Sequence, residues 1–311
     1  MDKQLGYPAS ADSSPYSGSS PQESGVTWKD FVALTKPGIL RSNLIATFGG
    51  FWLASGWHIA WLPMLWTLLG TMLVMASSCV FNNYFDRDLD TKMIRTRERV
   101  LATRRLSPNV VLWYAIALGV LGLGVLAVFS GMLAAALGAL GMFVYVIIYT
   151  LWLKRHSTWS TSIGGISGAM PPVIGYVAVS QQIDLGAWLL FAMLFLWQPP
   201  HFWALGIRRV EEYRAAGYPL LPVVKGIQRT KYQMLPYIAL LIPIPILMYT
   251  YGYTGLIYTI ASVLLSVVWL GMAIAGFKKQ DTDKWAKTAF IFSINYLTLS
   301  FILMIIDTVH R

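Results

Sequence analysis

Residues 61–90 read WLPMLWTLLGTMLVMASSCVFNNYFDRDLD. The first twenty carry no charge, and a helix needs ~20 such residues to cross ~30 Å of hydrocarbon. The last ten turn abruptly polar, with three aspartates, two asparagines and an arginine. On a helix at ~100° per residue, Asn82, Asp86 and Asp90 fall within about 80° of one another, whereas Asp88 is turned roughly 200° from Asp86 and leaves the group. Two carboxylates and an amide oxygen stacked over two turns make an oxygen-rich cluster where a span meets water. Hard divalent cations take oxygen ligands, and Mg2+ typically takes one or two carboxylates plus substrate phosphates. Ionisable groups at membrane depth are costly and usually functional, which weighs against a helix end merely fraying into solvent.

The rest of the chain repeats the apolar half of this pattern. Of its 311 residues 56% are hydrophobic and 12% charged, half the ~25% of a soluble chain. Nine apolar stretches, at about 39–57, 61–83, 109–129, 132–153, 161–180, 184–205, 233–251, 254–276 and 287–306, approach spanning length. They lack the polar face that helices of a soluble bundle present. The sequence predicts an all-α integral membrane protein, with nine transmembrane helices in one bundle forming a single domain over 27–311. A single cysteine, Cys79, excludes an intramolecular disulfide framework and a cysteine-rich zinc site. Residues 1–26 hold thirteen Ser, Pro or Gly and no apolar run, which reads as a disordered tail and not a secretory signal. Thr27 and Asp30 can cap a short helix whose Trp28, Phe31, Val32 and Thr35 share a face. That helix either lies on the membrane surface or is a capped linker.

The net charge of +10 would suggest nucleic acid in a soluble chain, but its placement explains it otherwise. With the N-terminus cytoplasmic and the C-terminus outside, the cytoplasmic segments hold 23 of the 24 Lys and Arg residues, all except Arg311. That is the positive-inside rule. It predicts a multi-pass protein of the cell membrane, in contact with lipid rather than nucleic acid, with its polar helix ends facing the cytoplasm.

Two cytoplasmic loops carry more than orientation needs. Lys92, Arg95, Arg97 and Arg99 directly follow the aspartates, an order that suits a diphosphate held between metal and guanidinium forks. Glu211 and Glu212 form a second acidic patch after the sixth span, readable as a counterpart of the first or as ordinary surface. His201, near the end of that span, can be a general base, a haem-iron ligand or a hydrogen-bonded packing residue. In span five, Gly164, Gly165, Gly168, Pro171, Pro172 and Gly175 allow tight packing. Alternatively the diproline unwinds or kinks the helix and opens a cavity.

The segment from Asn82 to Asp90 resembles the first aspartate-rich motif of the intramembrane aromatic prenyltransferases, the ubiquinone-biosynthesis prenyltransferase superfamily. Further likeness lies at Met93 with Arg95-Thr96, at Tyr149-Thr150 with Leu153-Lys154-Arg155, and at Gly168-Ala169-Met170-Pro171-Pro172. It continues at Trp197-Gln198 and from Tyr213 to Gly226. Pro200-His201-Phe202 and the run from Ala216 to Pro222 resemble the branch that prenylates haem. The resemblance implies transfer of the farnesyl group of farnesyl diphosphate to a vinyl group of haem B, with addition of water, giving haem O and diphosphate. It also implies Mg2+ held by the catalytic Asn82, Asp86 and Asp90 with Glu212 of the second motif, diphosphate held by Arg95, Arg99 and Lys154, and haem beside His201. A haem A synthase or a terminal oxidase assembly is the expected partner.

The chain departs from the pattern at Glu212, where an aspartate is usual, and at Ser160, Val100 and Arg104. A related enzyme acting on a quinone precursor is the near alternative. A secondary transporter is the distant one, but it would place its carboxylates near the bilayer midplane.

Overall fold

Pro37 at the first turn starts one helix and Gly56, with φ 51°, ends it. The same punctuation by proline, glycine and acidic caps divides the chain into a series of helices. The computed structural model describes residues 26–94 and 96–310. The tail reading therefore lies almost wholly outside the described residues, as does Arg95.

A short α1 (Trp28–Leu34) leads into α2 (Pro37–Ser55), α3 (Trp61–Asp90), α4 (Pro108–Phe129), α5 (Met132–His156), α6 (Ser160–Ser180) and α7 (Leu185–Arg208). After the small α8 (Val210–Ala215) and α9 (Leu221–Val224) come α10 (Gly226–Thr250), α11 (Leu256–Ala275) and α12 (Thr282–Ile306). Among the described residues the β structure is one isolated bridge, between Thr254 and Thr308. The Asp184 carboxylate caps α7, accepting from the N–H groups of Gly186 at 2.9 Å and Ala187 at 3.2 Å. Asp281 does the same for α12 through Lys284 N–H at 2.9 Å.

Each of the nine apolar stretches falls on one long helix. Seven of these helices are long and apolar enough to cross a membrane. The other two, α2 and α7, are diluted by Arg41, Ser42 and Asn43 and by Gln198, Pro199, Pro200 and His201 respectively. Helix length and composition thus support seven crossings by themselves.

The core centres on α6 and α7, where Val173, Ile174, Val177, Leu190 and Met193 are buried. α6 runs unbroken through Pro171 and Pro172, so of the two readings of this segment tight packing holds and unwinding does not occur. The reason lies in its packing against α2. A Cβ at Gly50 would stand 1.9 Å from the Pro172 carbonyl oxygen, and one at Gly175 would stand 2.0 Å from that of Thr47. Backbone presses on backbone at the second proline and one turn beyond it, and the small residues serve tight packing.

α1 exposes Trp28 and Val32 and buries Leu34. Asp30 accepts from the Thr27 N–H at 2.9 Å and pairs with Arg105 at 3.0 Å. The hydrogen bond from Thr27 holds the Asp30 carboxyl below the ordinary aspartate range. Within α5, residues Val144–Leu153 are wound as a π-helix, with i→i+5 hydrogen bonds and a wider turn.

Candidate active site

The last three turns of α3 bury Asn82, Asp86 and Asp90 and leave Asp88 exposed. Helical periodicity alone produces that division. What fixes the three buried groups comes from distant parts of the chain. Asn82 Nδ2 donates to Asp86 Oδ2 at 2.9 Å and to Thr150 Oγ1 at 3.1 Å, while Lys36 Nζ donates to Asn82 Oδ1. Asp86 is fully buried. Its Oδ2 receives the Lys154 ammonium. Arg155 Nη2 stands 3.7 Å from Oδ1 and donates to the Phe85 carbonyl at 2.6 Å. One turn on, Arg99 Nη1 grips both oxygens of Asp90, at 3.0 and 2.8 Å. Thr96 Oγ1 donates to the Asp90 carbonyl at 2.9 Å and folds the intervening loop back on the helix.

The π-helical stretch of α5 supplies Thr150, and Lys154 follows immediately after it. π turns commonly occur at functional sites. Here the stretch brings Thr150 to Asn82 and Lys154 to Asp86. A second loop closes over these groups. Met93, Ala216 and Tyr218 form a small buried cluster, with Leu89, Tyr213 and Leu220 packed against it. The Lys154 ammonium lies 4.9 Å from the centre of the Tyr218 ring, within cation–π range. Burial pushes the Tyr218 phenol up to about 12, so it stays neutral at ordinary pH.

The chemistry of these donors fits a divalent ion. Asp86 Oδ1 is buried without a hydrogen-bond partner, with Arg155 Nη2 3.7 Å away, and a buried carboxylate oxygen that accepts no hydrogen bond is expensive. Among the described residues no three acids or other metal-ligating side chains gather round one point. A cation here would therefore have Asp86, Asp90 and the Asn82 amide, and need substrate oxygens to complete its shell.

The other sequence-derived residues have contacts of their own. Glu212 pairs with Arg209 at 3.2 Å within three residues of its own chain, and Glu211 pairs with Arg214 likewise. A cleft of about 310 Å³ lined by Arg208, Arg209, Val210, Glu211 and Glu212 opens beside them. His201 sits two turns inside α7, packed against α12 and not among the carboxylates. Its ring is stacked between Trp197 at 4.4 Å and Phe290 at 4.7 Å, with Nδ1 2.7 Å from Ser293 Oγ.

Lys36, Arg155 and Tyr218 enter the site without having been singled out as site residues from sequence. Lys36 carried one readable signal. It immediately precedes Pro37 at a helix N-terminus, where a cation is unfavourable. Such a position calls for a partner outside the helix.

Comparison with known proteins identifies the setting of these residues. Residues 43–295 match the model of the UbiA prenyltransferase family. The chain is 48% identical over 287 residues to a protein of Alkalihalophilus pseudofirmus named protoheme IX farnesyltransferase, covering 90% of each chain. It is 48% identical over 293 residues to protoheme IX farnesyltransferase 1 of Bacillus subtilis, covering 91% of each. Among solved structures, one from work on digeranylgeranylglyceryl phosphate synthase superposes with a TM-score of 0.76 at 18% identity, over 90% of this chain and 97% of that one. A UbiA homolog from Archaeoglobus fulgidus bound to DMAPP and Mg2+ gives 0.62 at 15% identity, over 88% and 99%. These two structures share the fold.

Proposed function

The chain belongs to the UbiA prenyltransferase family, and from that premise we propose that it transfers the farnesyl group of farnesyl diphosphate to a vinyl group of haem B, with addition of water, giving haem O and diphosphate. The acceptor reading is supported by the curated relatives' shared name and their identity over nine-tenths of the chain. The reading of the site is supported above all by Asp86, whose buried Oδ1 accepts no hydrogen bond although three cationic side chains surround its motif.

Asn82, Asp86 and Asp90 would hold Mg2+, with Glu212 joining from the second motif; bound there, the ion supplies charge neutralisation for the departing diphosphate. The chain's own cations do the rest of the electrostatic work. Lys154 and Arg99 rest on carboxylates in the free protein and are already at the site. When diphosphate enters they exchange a carboxylate for phosphate oxygens, together with Arg95. They are thus oriented before the leaving group develops charge, as electrostatic catalysis requires.

The allylic cation left behind must be kept from water until the acceptor attacks. Tyr149, packed against Gly164 of α6, and the buried Trp197 offer aromatic faces that tolerate positive charge. The electron-rich vinyl group attacks the farnesyl carbon, and water adds at the adjacent carbon to give a hydroxyethylfarnesyl substituent.

The same proposal places the chain in the cell membrane as one domain, 27–311, with nine crossings, a cytoplasmic N-terminus and an external C-terminus. The distribution of 23 of 24 basic residues supports that orientation. The product is suited to a haem A synthase or a terminal oxidase assembly.

The test is mass spectrometry of haem extracted after incubating purified protein with haem B, farnesyl diphosphate and Mg2+. The expected product carries one added farnesyl and one added hydroxyl, and is absent with EDTA. Metal-dependent diphosphate release with aromatic acceptors but not with haem would keep the site and discard the acceptor.

A further inference from the structure

Ser293, on α12, is completely buried. Its hydroxyl donates to the Phe290 carbonyl at 2.6 Å. A hydroxyl has one proton and a carbonyl can only accept, so that proton is committed. The same Oγ lies 2.7 Å from His201 Nδ1. With no proton left to give, Oγ must accept there, and Nδ1 must carry the hydrogen. A neutral imidazole has one N–H, which leaves Nε2 as the bare nitrogen.

The ring's orientation is fixed by the same part of α12. Phe290 stacks on one side of the imidazole and Trp197 on the other, and Trp197 Nε1 donates to the Ser293 carbonyl at 2.7 Å. Nε2 has no hydrogen-bond partner among the described residues. One ring nitrogen tied down by an outer hydrogen bond and the other bare is the arrangement of a histidine that binds metal.

We propose that Ser293 is a positioning residue that holds His201 in its Nδ1–H tautomer and thereby presents Nε2 to the iron of the acceptor haem. The inference rests on the haem reading above and adds a ligand and the residue that orients it. It assigns Ser293 no contact with either substrate.

The full chain in lipid nanodiscs is titrated with ferric haem B, without farnesyl diphosphate, and followed by absorption and electron paramagnetic resonance. The wild type is expected to give a histidine-ligated spectrum that is lost in His201→Ala. Ser293→Ala should weaken haem binding by about 10- to 100-fold, the usual loss when an outer-shell partner is removed, and Ser293→Thr should restore it. In the haem-free wild type, 15N resonance of labelled histidine should show a protonated Nδ1 and a bare Nε2. That signal is picked out from the four histidines by its loss in His201→Ala.

Wild-type-like haem affinity in Ser293→Ala, or an Nε2–H tautomer in the wild type, would overturn the role of Ser293 while leaving the acceptor intact. An unchanged haem spectrum in His201→Ala would overturn the iron ligand. Should Ser293→Ala fail to fold, Ser293→Cys keeps the volume with a weaker acceptor and must bind haem less tightly than Ser293→Thr. A wild type that neither binds nor modifies haem would instead remove the acceptor reading itself.

Discussion

Both acidic patches close a long helix, yet their carboxylates live in different surroundings. In the first, Asp86 and Asp90 are buried, and their cations come from elsewhere in the chain, Lys154 from α5 and Arg99 from the following loop. In the second, Glu211 and Glu212 pair with Arg214 and Arg209, three residues away along the chain and beside an open cleft. The Glu211 side chain is 77% exposed and that of Glu212 18%. An exposed pair such as Glu211 with Arg214 is worth a few tenths of a kcal/mol. Burial of a charge demands an exact partner. The first patch is organised in advance and the second is only available.

The contrast can be broken most decisively at Asp86. Asp86→Ala should lower haem product formation by about 10³-fold or more per folded protein, since it removes both the proposed metal ligand and the anchor of Lys154. Lys154→Met should follow at about 10²-fold, comparable to removing one preorganised donor from a transition state. Glu212→Gln should cost about tenfold, read as a rise in the Mg2+ concentration needed for half-maximal rate. A Glu212→Gln loss equal to that of Asp86→Ala would erase the distinction between the patches. Asp88→Ala, on the exposed face, should stay within about twofold, because surface changes away from partners are nearly neutral.

The smallest expected effect is on stability at high pH. Burial raises the Tyr218 pKa to about 12, so the folded state holds that proton more tightly than the unfolded chain, where tyrosine titrates near 10. The stabilisation is complete below about pH 10 and is lost as pH rises toward 12. Tyr218→Phe should therefore flatten the fall in thermal stability over that window.

Much of the fold could be read from the sequence, because apolar length and helical periodicity are local properties. The division of Asp88 from Asp86 needs only 100° per residue. The partners that give the first patch its character are not local. Lys36 reaches Asn82 across 46 positions and Lys154 reaches Asp86 across 68, and no spacing rule connects them. The diproline left two readings open for a related reason. Its local tendency to break a helix is opposed by backbone contacts at Gly50 and Gly175, which depend on a neighbour the sequence does not name. His201 could be singled out, but its partner Ser293 lies 92 positions away.

The wide turn at Val144–Leu153 has a consequence for any attempt to shorten the chain. Removing one apolar residue from that stretch would let it relax toward ordinary α-helix with the other apolar side chains kept, and most of the packing would survive. The phase of everything beyond it would not. The Lys154 ammonium would be turned about the helix axis and drawn along it, away from Asp86 and Tyr218. Such a deletion separates folding from catalysis with one codon, whereas the same deletion in the loop between α11 and α12 would shift no helix against the site.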